Sequence, residues 1–305
     1  MKTVVRPAGH AQTISEFEWL AATPFILVHL AVFGALWSGV TLGSVVTCIA
    51  LYWIRMFGVT GGYHRYFAHR TYKTSRFVQF LLAVVAQSSA QRGALWWAAH
   101  HRDHHKYSDT EKDVHSPVLR SVFYAHVGWV YDHNGETKLD RIRDFAKYPE
   151  LMWLDKYWLL PPIALGVLCF VLGGWPGLFI GFCLSTVLCW HGTFTINSLS
   201  HVFGSRRYKT SDQSRNNIWL ALITMGEGWH NNHHHYMHST RQGFFWWEID
   251  MTYYVLKVMS AFRLVWDLKA PPQWAVRGLQ SAREMTPEPT PIPTDPISLP
   301  NPATL

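Results

Sequence analysis

Two long uncharged stretches dominate the pattern of hydrophobic and polar residues along the chain. Residues 20–54 and residues 157–205 contain no Asp, Glu, Lys or Arg. Because a helix crosses the hydrocarbon core of a bilayer in about 20 residues, each stretch has room for two helices. Glycine-containing turns, "SGVTLG" at 38–43 and "GGWPG" at 173–177, divide the stretches. The pattern predicts an all-α integral membrane protein whose four transmembrane helices form two hairpins, at about 23–57 and 157–200.

The polar segments are expected to lie on one side of the membrane. Neither hairpin turn carries a charge, so the positive-inside rule places both termini and the polar segments in the cytoplasm. Residues 58–156 and 201–268 would then form a helical cytoplasmic cap, in which segment 75–109 is a helix buried under the cap or lying in the interface. Residues 1–22 are predicted to be a cytoplasmic leader without a signal peptide, and the Pro-rich residues 269–305 a disordered tail.

Charge and cysteine content narrow the classes of partner and cofactor. The net charge of +7 suits contact with the anionic head groups of the lipid bilayer. The basic residues form no long run or recognition helix, so nucleic acid is not an expected partner. Cys48, Cys169, Cys183 and Cys189 all fall inside the predicted spans without CxxC spacing. They indicate core packing rather than a disulfide framework or an iron–sulfur cluster.

Histidine is the most informative residue type in the chain. Four clusters lie at the cytoplasmic ends of the predicted spans or in the cap: His64 and His69 in HxxxxH, His101, His104 and His105 in HxxHH, Asn197 with His201, and His230, His233 and His234 in a second HxxHH. On an α-helix, positions i, i+3 and i+4 share a face, so each HxxHH presents three imidazoles in one direction. Spacing of i, i+5 separates two side chains by roughly 140°, so the HxxxxH pair is expected to reach two different ions.

The number of clustered histidines predicts two metal ions. Structural zinc takes four ligands and catalytic zinc three, so nine histidines exceed the needs of one ion. Shared between two ions they give four or five each, which suits redox-active first-row metals, although imidazole also binds zinc, copper and nickel. His10, His29, His126, His133 and His191 are predicted to be structural or surface residues, whereas His100, His115, His235 and His238 lie near the clusters.

Four motifs carry a resemblance to a known family. In order and separation, "GGYHRYFAHRTYK", "HHRDHHKYSDTEKDVHSP", "NSLSHVFGSRRY" and "GEGWHNNHH" resemble those of membrane fatty acyl desaturases of the delta-9, stearoyl-CoA desaturase type. The resemblance covers residues 23–267, and "STRQGFFWWEID" is similar to bacterial and cyanobacterial members. It implies two membrane hairpins under a cytoplasmic cap, with a dinuclear iron centre at their junction, in a bacterial inner membrane.

The resemblance also assigns ligands. The implied iron ligands are His64, His69, His101, His104, His105, His201, His230, His233 and His234, and Asn197 would hold an iron-bound water. The family often shows Asp-Pro-His where this chain has "DVHSP". Val114 therefore leaves the roles of Asp113 and His115 open.

The implied reaction inserts a cis double bond, at carbon 9 by family default, into a saturated acyl chain. Removing hydrogens from unactivated methylenes needs a strong oxidant, which this family obtains from two irons, dioxygen and two electrons. The acyl chain would be carried by coenzyme A, a glycerolipid or a carrier protein. Since a saturated chain has no polar handle near the target carbons, a dry tunnel must measure distance from a held head group. The face with Cys48, Tyr52 and Met56 is predicted to help line this tunnel.

Electrons are expected from a separate protein. The sequence has no His-Pro-Gly-Gly haem motif, no GxGxxG nucleotide motif and no cysteine cluster. A ferredoxin, rubredoxin-like or cytochrome-type donor is therefore required. The candidate residues for docking an acidic carrier are Arg102, Lys106, Arg206, Arg207 and Lys209.

Two other functions are compatible with the residues. A hydroxylase or other oxygenase on the same kind of diiron scaffold would yield an alcohol rather than an alkene. A histidine-rich metal transporter or sensor belongs to a different class. It is disfavoured because the histidines cluster at one membrane face and not along a transmembrane path.

Overall fold

The computed structural model describes residues 19–132 and 135–278, and it is dominated by helices. The α-helices are α1 (Trp19–Val32), α2 (Ala35–Ser38), α3 (Leu42–Phe57), α4 (Arg76–Gln87), α5 (Ala94–Tyr107), α6 (Val122–His126), α7 (Arg143–Ala146), α8 (Pro149–Lys156), α9 (Leu160–Pro176), α10 (Ser185–Ser198), α11 (Ile218–Ile223), α12 (His230–His235), α13 (Met251–Ala261) and α14 (Gln273–Val276). Two π-helices, Gly58–Ala68 and Gly177–Leu184, continue α3 and α9, and 3₁₀ turns cover Gly128–Tyr131, Leu139–Arg141 and Leu199–His201. Strands β1 (Lys73–Thr74) and β2 (Val265–Trp266) pair antiparallel, with Lys73 opposite Trp266.

The second hydrophobic stretch folds back on itself at a glycine. Leu160–His201 is a helical run of 42 residues that is apolar enough to cross a membrane. At 1.5 Å per residue it would be about 63 Å long, twice the hydrocarbon core. Gly174 interrupts it with φ of 60° and ψ of −154°, which essentially only glycine adopts. The carbonyl oxygen of Cys169 then lies against Gly177, so the chain reverses direction and the turn predicted at 173–177 is confirmed.

The first hydrophobic stretch also breaks where a turn was predicted. Thr23–Ser38 is apolar but shorter, and Gly39 follows it with φ of 74°. Thr41 then begins α3 with a capping box: its hydroxyl accepts from the N–H of Ser44, and the Ser44 hydroxyl accepts from the N–H of Thr41, both at 3.1 Å. From there the helix continues as Leu42–Ala68, the other run long and apolar enough to cross a membrane.

Segment 75–109 contains two helices instead of the single helix expected. Helices α4 and α5 are separated by residues 88–93, where Ala90 and Arg92 have left-handed φ values of 58° and 70°. Such values cannot continue a right-handed helix. Helix α4 packs closely on the first π-helix, since a Cβ at Gly58 would lie 2.9 Å from the backbone of Ala86. The segment therefore lies partly inside the protein, as a broken helix.

The first π-helix forms the centre of the core. All eleven of its residues are buried, and apolar side chains from α4, α5, α8 and α13 surround it. Arg65, in its middle, donates from Nη1 to both oxygens of Asp250 at 2.8 and 3.0 Å, and from Nη2 to Glu227 at 3.0 Å. It also donates to the carbonyl of Thr240 at 2.8 Å. The guanidinium thus ties the π-helix to the segments that flank α12 and α13.

The start of the predicted tail needs correction. Lys269 still belongs to the folded unit that extends to Pro271, because its N–H donates to the carbonyl of Thr71 at 3.0 Å and its carbonyl accepts from Thr240 at 2.8 Å. A second unit begins at Pro272 and contains helix α14. The predicted leader up to residue 18, and residues 279–305 of the predicted tail, lie outside the described residues.

Replacing Arg65 by Met should destabilise the fold strongly. The change leaves the buried carboxylates of Asp250 and Glu227 without their cation, which typically costs about 3–5 kcal/mol. The free energy of unfolding, measured by denaturant titration in detergent, should fall by this amount. Arg76→Met is the matched control, because the Arg76 side chain is 61% exposed where it pairs with Glu150, and its loss should cost less than about 1 kcal/mol. Equal losses in the two variants would contradict the role given to Arg65.

Candidate metal centre

Five imidazoles converge in one group. Their ligand nitrogens all lie within 4.8 Å of one another. Nε2 atoms are 3.0 Å apart between His64 and His233, and 3.0 Å apart between His69 and His101. His105 Nε2 lies 3.0 Å from that of His101 and 2.9 Å from that of His233. We call these residues the five-histidine group.

Four further imidazoles form a second group, which we call the four-histidine group. His104, His201, His230 and His234 also place their ligand nitrogens within 4.8 Å of one another. The Nε2 atoms of His201 and His230 are 3.1 Å apart. All nine clustered histidines are therefore brought together, divided five and four as the count predicted.

The π-helix explains why the HxxxxH pair lies in one group. The N–H of His69 donates to the carbonyl of His64 at 3.1 Å, an i to i+5 bond. In π-helical geometry, residues five apart follow one another around a single turn, so both rings face the same way. The expectation that they reach two different ions is wrong, because it assumed an α-helical repeat. Each HxxHH motif instead divides its rings between the groups: His101 and His105 join one group and His104 the other.

Four histidines are oriented by carboxylates. The Nδ1 to oxygen pairs are His64 with Glu227 at 2.6 Å, His104 with Asp113 at 3.0 Å, His201 with Asp109 at 2.9 Å and His234 with Asp212 at 2.6 Å. For His104, His201 and His234 the contact is a hydrogen bond that keeps the proton on Nδ1, so the Nε2 lone pair faces the inside of the group. Sequence reasoning did not assign these carboxylates. Glu227, Asp109 and Asp113 lie within the histidine motifs, so their positions could have suggested a role beside the histidines. Asp212 lies outside these motifs, so the sequence offered no such indication for it.

A further set of three residues supports the centre. His104, Asp113 and His115 lie close enough to hold an ion together. However, Asp113 already accepts from His104 Nδ1 and from the N–H of Asp109 at 2.9 Å. We therefore interpret Asp113 as a residue that orients His104.

The two groups fit metal ions by spacing and by donor type. Two ligands about 2.1 Å from an ion and at right angles are about 3.0 Å apart, close to the observed Nε2 separations. The Nε2 of His234 is buried without a hydrogen-bond partner, as expected for an atom that binds an ion. Nine imidazoles and no thiolate among the described ligands suit a redox-active first-row metal better than structural zinc.

Burial keeps most of these rings neutral, which is the form that binds metal. Loss of solvation lowers the pKa well below the usual histidine value for His69, His101, His105, His230 and His233. Burial also lowers the pKa of His234 to about 4, although Asp212 acts in the opposite direction. His104 is different. Burial opposes its protonation, but the charge and hydrogen bond of Asp113 raise its pKa overall.

Asn197 lies beside both groups. It lines a cavity of about 40 Å³ with His64, His101 and His230, and a second one of about 40 Å³ with His101 and His115. A side-chain amide in this position is placed to bind a water near an ion. That role stays a prediction.

Three histidines predicted to be structural form a hydrogen-bonded row outside the centre. His29 Nε2 lies 3.0 Å from His191 Nε2, and His191 Nδ1 lies 2.9 Å from His126 Nε2. His126 Nδ1 is 3.0 Å from the hydroxyl oxygen of Ser198. This row of histidines links α1, α10 and α6, as a structural role requires.

The remaining histidines do not join either group. His100 stacks on Trp96 with ring centroids 3.8 Å apart, and His235 stacks on Tyr208 at 4.2 Å. His238 is also outside both groups. His10 and His133, for which structural or surface roles were predicted, lie outside the described residues.

A large apolar cavity adjoins the centre. It has a volume of about 510 Å³ between α1, α9, the second π-helix and α10. Trp97, Trp129 and Phe194 line both this cavity and the small one that reaches His101. The two cavities therefore adjoin each other across these shared side chains.

The predicted tunnel face has a partial counterpart. Met56 lines the small cavity beside His64. Cys48 and Tyr52 line none of the three cavities described here, so their part in a tunnel stays a prediction.

Comparison with known proteins relates the chain to one family. The sequence model of the family described as fatty acid desaturase matches residues 37–267. The sn-2 palmitoyl-lipid 9-desaturase of Nostoc sp. (strain 36) is 34% identical over 273 residues, 86% of this chain and 94% of that protein. The sn-1 stearoyl-lipid 9-desaturase of Anabaena variabilis is 34% identical over 261 residues, 84% and 96% of the two chains. The acyl-CoA C20 Delta5-desaturase of Anemone leveillei is 34% identical over 233 residues, 75% and 74%.

Removing one ligand of the four-histidine group should release one ion. His234→Ala leaves three imidazoles there and removes no member of the five-histidine group, so metal content should fall from about two ions to about one per chain. Elemental analysis of the purified protein measures this. His235→Ala is the control, because its ring stacks on Tyr208 outside both groups and its loss should leave the content unchanged. Unchanged metal in His234→Ala would contradict the assignment.

Metal-free protein should lose stability as the pH falls. Unfolded histidines titrate near pH 6.5, whereas burial lowers the pKa of six of the nine in the folded state, that of His234 to about 4. The folded state thus binds fewer protons, so its stability is fully present above about pH 6.5 and is lost as the pH falls towards 4. The raised pKa of His104 opposes this trend, but it is one group against six. The melting temperature of chelator-treated protein measures the effect, and a flat profile would refute it.

Proposed function

The chain belongs to the fatty acid desaturase family, and from this premise we propose how its histidine groups act. The protein is a fatty acyl desaturase, an oxygen-dependent oxidoreductase. Our proposal is that each histidine group holds one iron ion and that the product carries a cis double bond at carbon 9. The observation that supports it most is the convergence of nine imidazoles beside a long apolar cavity.

The proposed ligands are the nine histidines, with Asn197 binding through a water. The five-histidine group consists of His64, His69, His101, His105 and His233, and the four-histidine group of His104, His201, His230 and His234. Bound iron would supply the activation of dioxygen, which takes up two electrons, two protons and the two hydrogens of adjacent methylenes to give two waters and an alkene. The protein's own part is to keep the imidazole Nδ1–H groups directed at carboxylates, to exclude water and to position the acyl chain.

We propose four membrane spans in two hairpins. Support comes from the reversal at Gly174, which makes two antiparallel arms of Leu160–His201, and from the break at Gly39, which separates Thr23–Ser38 from Leu42–Ala68. The cap and the iron centre would face the cytoplasm, with the membrane domain covering residues 23–268. For a bacterial protein the membrane would be the inner one.

The substrate is an acyl chain, and we propose that it lies in the large cavity. The walls are mainly aromatic and aliphatic side chains, so water is excluded and a saturated chain is solvated by them. Two relatives are named for acyl groups of lipids and one for an acyl-CoA, and either carrier suits this cavity. Position 9 is taken from the names of the two lipid desaturases.

A separate electron donor is proposed to dock on the basic cap surface. Lys106, Arg206, Arg207 and Lys209 are exposed. Arg102 drops out of the predicted set because all five of its N–H donors are used within the chain, on Asp144 and three backbone carbonyls. Arg207 is exposed but forms an ion pair with Glu248. An acidic carrier such as a ferredoxin suits the charges of Lys106, Arg206 and Lys209.

Expression in a host that makes no unsaturated fatty acids tests the reaction. The wild-type chain should yield monounsaturated acyl groups, and mass spectrometry after double-bond derivatisation should place the bond at carbon 9. His104→Ala and His233→Ala each remove a ligand from one group and should lower alkene yield by at least about a hundredfold. His235→Ala should retain the yield. An alcohol in place of the alkene would instead identify a hydroxylase.

A further inference from the structure

Helix α13 carries apolar side chains on the face that points away from the protein. Tyr254, Val258 and Phe262 follow one another at intervals of four residues and are 43%, 58% and 74% exposed. Residues at this spacing share one side of an α-helix. The opposite side, with Thr252 and Leu256, is buried. Because the exposed side of a surface helix normally carries polar residues, we expect this face to contact something other than water.

The exposed apolar surface continues past the end of α13. Arg263 turns the chain with φ of 58°, and Leu264 and Trp266 then lie on the exposed side of β2, on either side of the buried Val265. The hydroxyl of Thr74 in β1 donates to the carbonyl of Leu264 at 2.7 Å, and α4 follows β1 directly. We call the exposed side chains along these three elements the apolar stripe, which consists of Phe77, Tyr254, Val258, Phe262, Leu264 and Trp266.

The apolar stripe reaches the proposed membrane spans through α4. Phe77, near the start of α4, is 70% exposed. Helix α4 is itself apolar and contacts α3 and α9, which belong to the two runs long and apolar enough to cross a membrane. Tyrosine and tryptophan, both present in the stripe, are typical of the membrane–water interface. An exposed apolar surface that adjoins membrane-spanning helices is suited to be covered by the same bilayer.

Basic residues border the apolar stripe. Lys257 lies on α13 and Arg263 directly follows Phe262; both cations are exposed and form no ion pair with another described residue. Asp267 is already paired with Lys73 at 2.8 Å, and α13 contains no acidic residue. An apolar face bordered by lysine and arginine is typical of helices that lie in the membrane interface, where anionic head groups attract the cations. An anionic lipid surface therefore fits both features of the stripe.

Helix α13 is joined to the first π-helix, which provides two of the clustered histidines. The hydroxyl oxygens of Thr60 and Thr252 are 2.7 Å apart. Asp250 accepts from the N–H of Tyr253 at the start of α13, at 3.0 Å, and from Arg65 of the π-helix at 2.8 Å. A fixed position of α13 on the bilayer would therefore also fix the position of the π-helix.

We propose that the apolar stripe is an interfacial anchor, which lies among the head groups of the cytoplasmic leaflet and binds anionic phospholipid there. The inference rests on the proposed function, because it requires the proposed spans and a cap on the same side of the membrane. The anchor holds the cap and its histidine groups at a fixed depth relative to the bilayer surface. None of its side chains lines the large apolar cavity, so it is separate from the place proposed for the acyl chain.

Fluorescence quenching by nitroxide lipids tests where the stripe lies. Val258→Cys on the stripe and Val171→Cys on α9 are matched variants, since the two valines are 58% and 71% exposed. Each full-length variant is labelled with the fluorophore NBD and placed in nanodiscs of phosphatidylcholine and phosphatidylglycerol, and the wild type, whose four cysteines are buried, gives the blank. A nitroxide at carbon 5 of the acyl chain should quench the label at Val258 about twofold more than one at carbon 12. The label at Val171, about 16 Å along α9, should show the reverse order.

Lys209→Cys is the control for a surface in water, because Lys209 is exposed and is proposed to face a soluble carrier. Aqueous iodide should quench its label and nitroxide lipids should not. Quenching of the Val258 label by iodide alone would overturn the anchor. Protection from both quenchers would place a second copy of the chain on the stripe and would overturn the anchor as well. If no nitroxide lipid quenched the Val171 label, the proposed spans would fail, and the Val258 label would still decide the anchor.

The preference for anionic lipid is tested with the same label at Val258. Nitroxide phosphatidylglycerol should bind beside it more tightly than nitroxide phosphatidylcholine, by about fivefold for each of the two cations. Lys257→Gln together with Arg263→Gln should make the two lipids equal, because the head-group charge loses its partners. Lys106→Gln together with Lys209→Gln is the matched control on the exposed cap and should retain the preference. Equal binding of the two lipids without these changes would overturn the binding of anionic phospholipid.

Discussion

Hydrogen bonds from imidazole Nδ1 to buried carboxylates are the interaction on which the centre depends. They hold the rings in one tautomer and direct Nε2 inward. The carboxylates are distributed unequally between the two histidine groups. Asp109, Asp113 and Asp212 serve three of the four rings in the four-histidine group, whereas Glu227 alone serves the five-histidine group. The two histidine groups therefore differ in nearby negative charge.

The core and the centre are joined through one carboxylate. Glu227 accepts from Arg65 at Oε1, and its Oε2 lies 2.6 Å from Nδ1 of His64, so the buried arginine balances the charge of a carboxylate that contacts the five-histidine group. Burial alone would raise the pKa of Glu227, but the adjacent His64 and Arg65 lower it overall. Because Arg65 and His64 are consecutive in the π-helix, a single segment provides the counter-ion and the ligand that share this carboxylate.

The convergence of the nine histidines and the hairpin turns could be predicted from sequence, but the local geometry could not. Spacing and family motifs identified all nine histidines, and glycine marked both turns. The π-helix could not be foreseen, because the apolar pattern of Gly58–Ala68 also suits an α-helix, so His64 and His69 were assigned to different ions. The carboxylate partner of a histidine could not be predicted where the two residues are distant in sequence, since Asp109 and His201 are 92 residues apart. The break at residues 88–93 depends on left-handed residues that are not glycine, which gave no sequence signal.

Irregular backbone in this protein concentrates at the places where chemistry is proposed. One π-helix carries His64, the other supplies Leu178 and Phe182 to the cavity wall, and the left-handed Ala90 and Arg92 line the same cavity. Each irregularity costs free energy relative to a regular helix, so each must be stabilised by the packing around it. Regular α-helices in the same segments would turn the His64 and His69 rings apart and redirect the side chains that line the cavity. These segments are therefore less stable than regular helices, but their irregular backbone allows one helical bundle to contain both a dry cavity and the converging imidazole nitrogens.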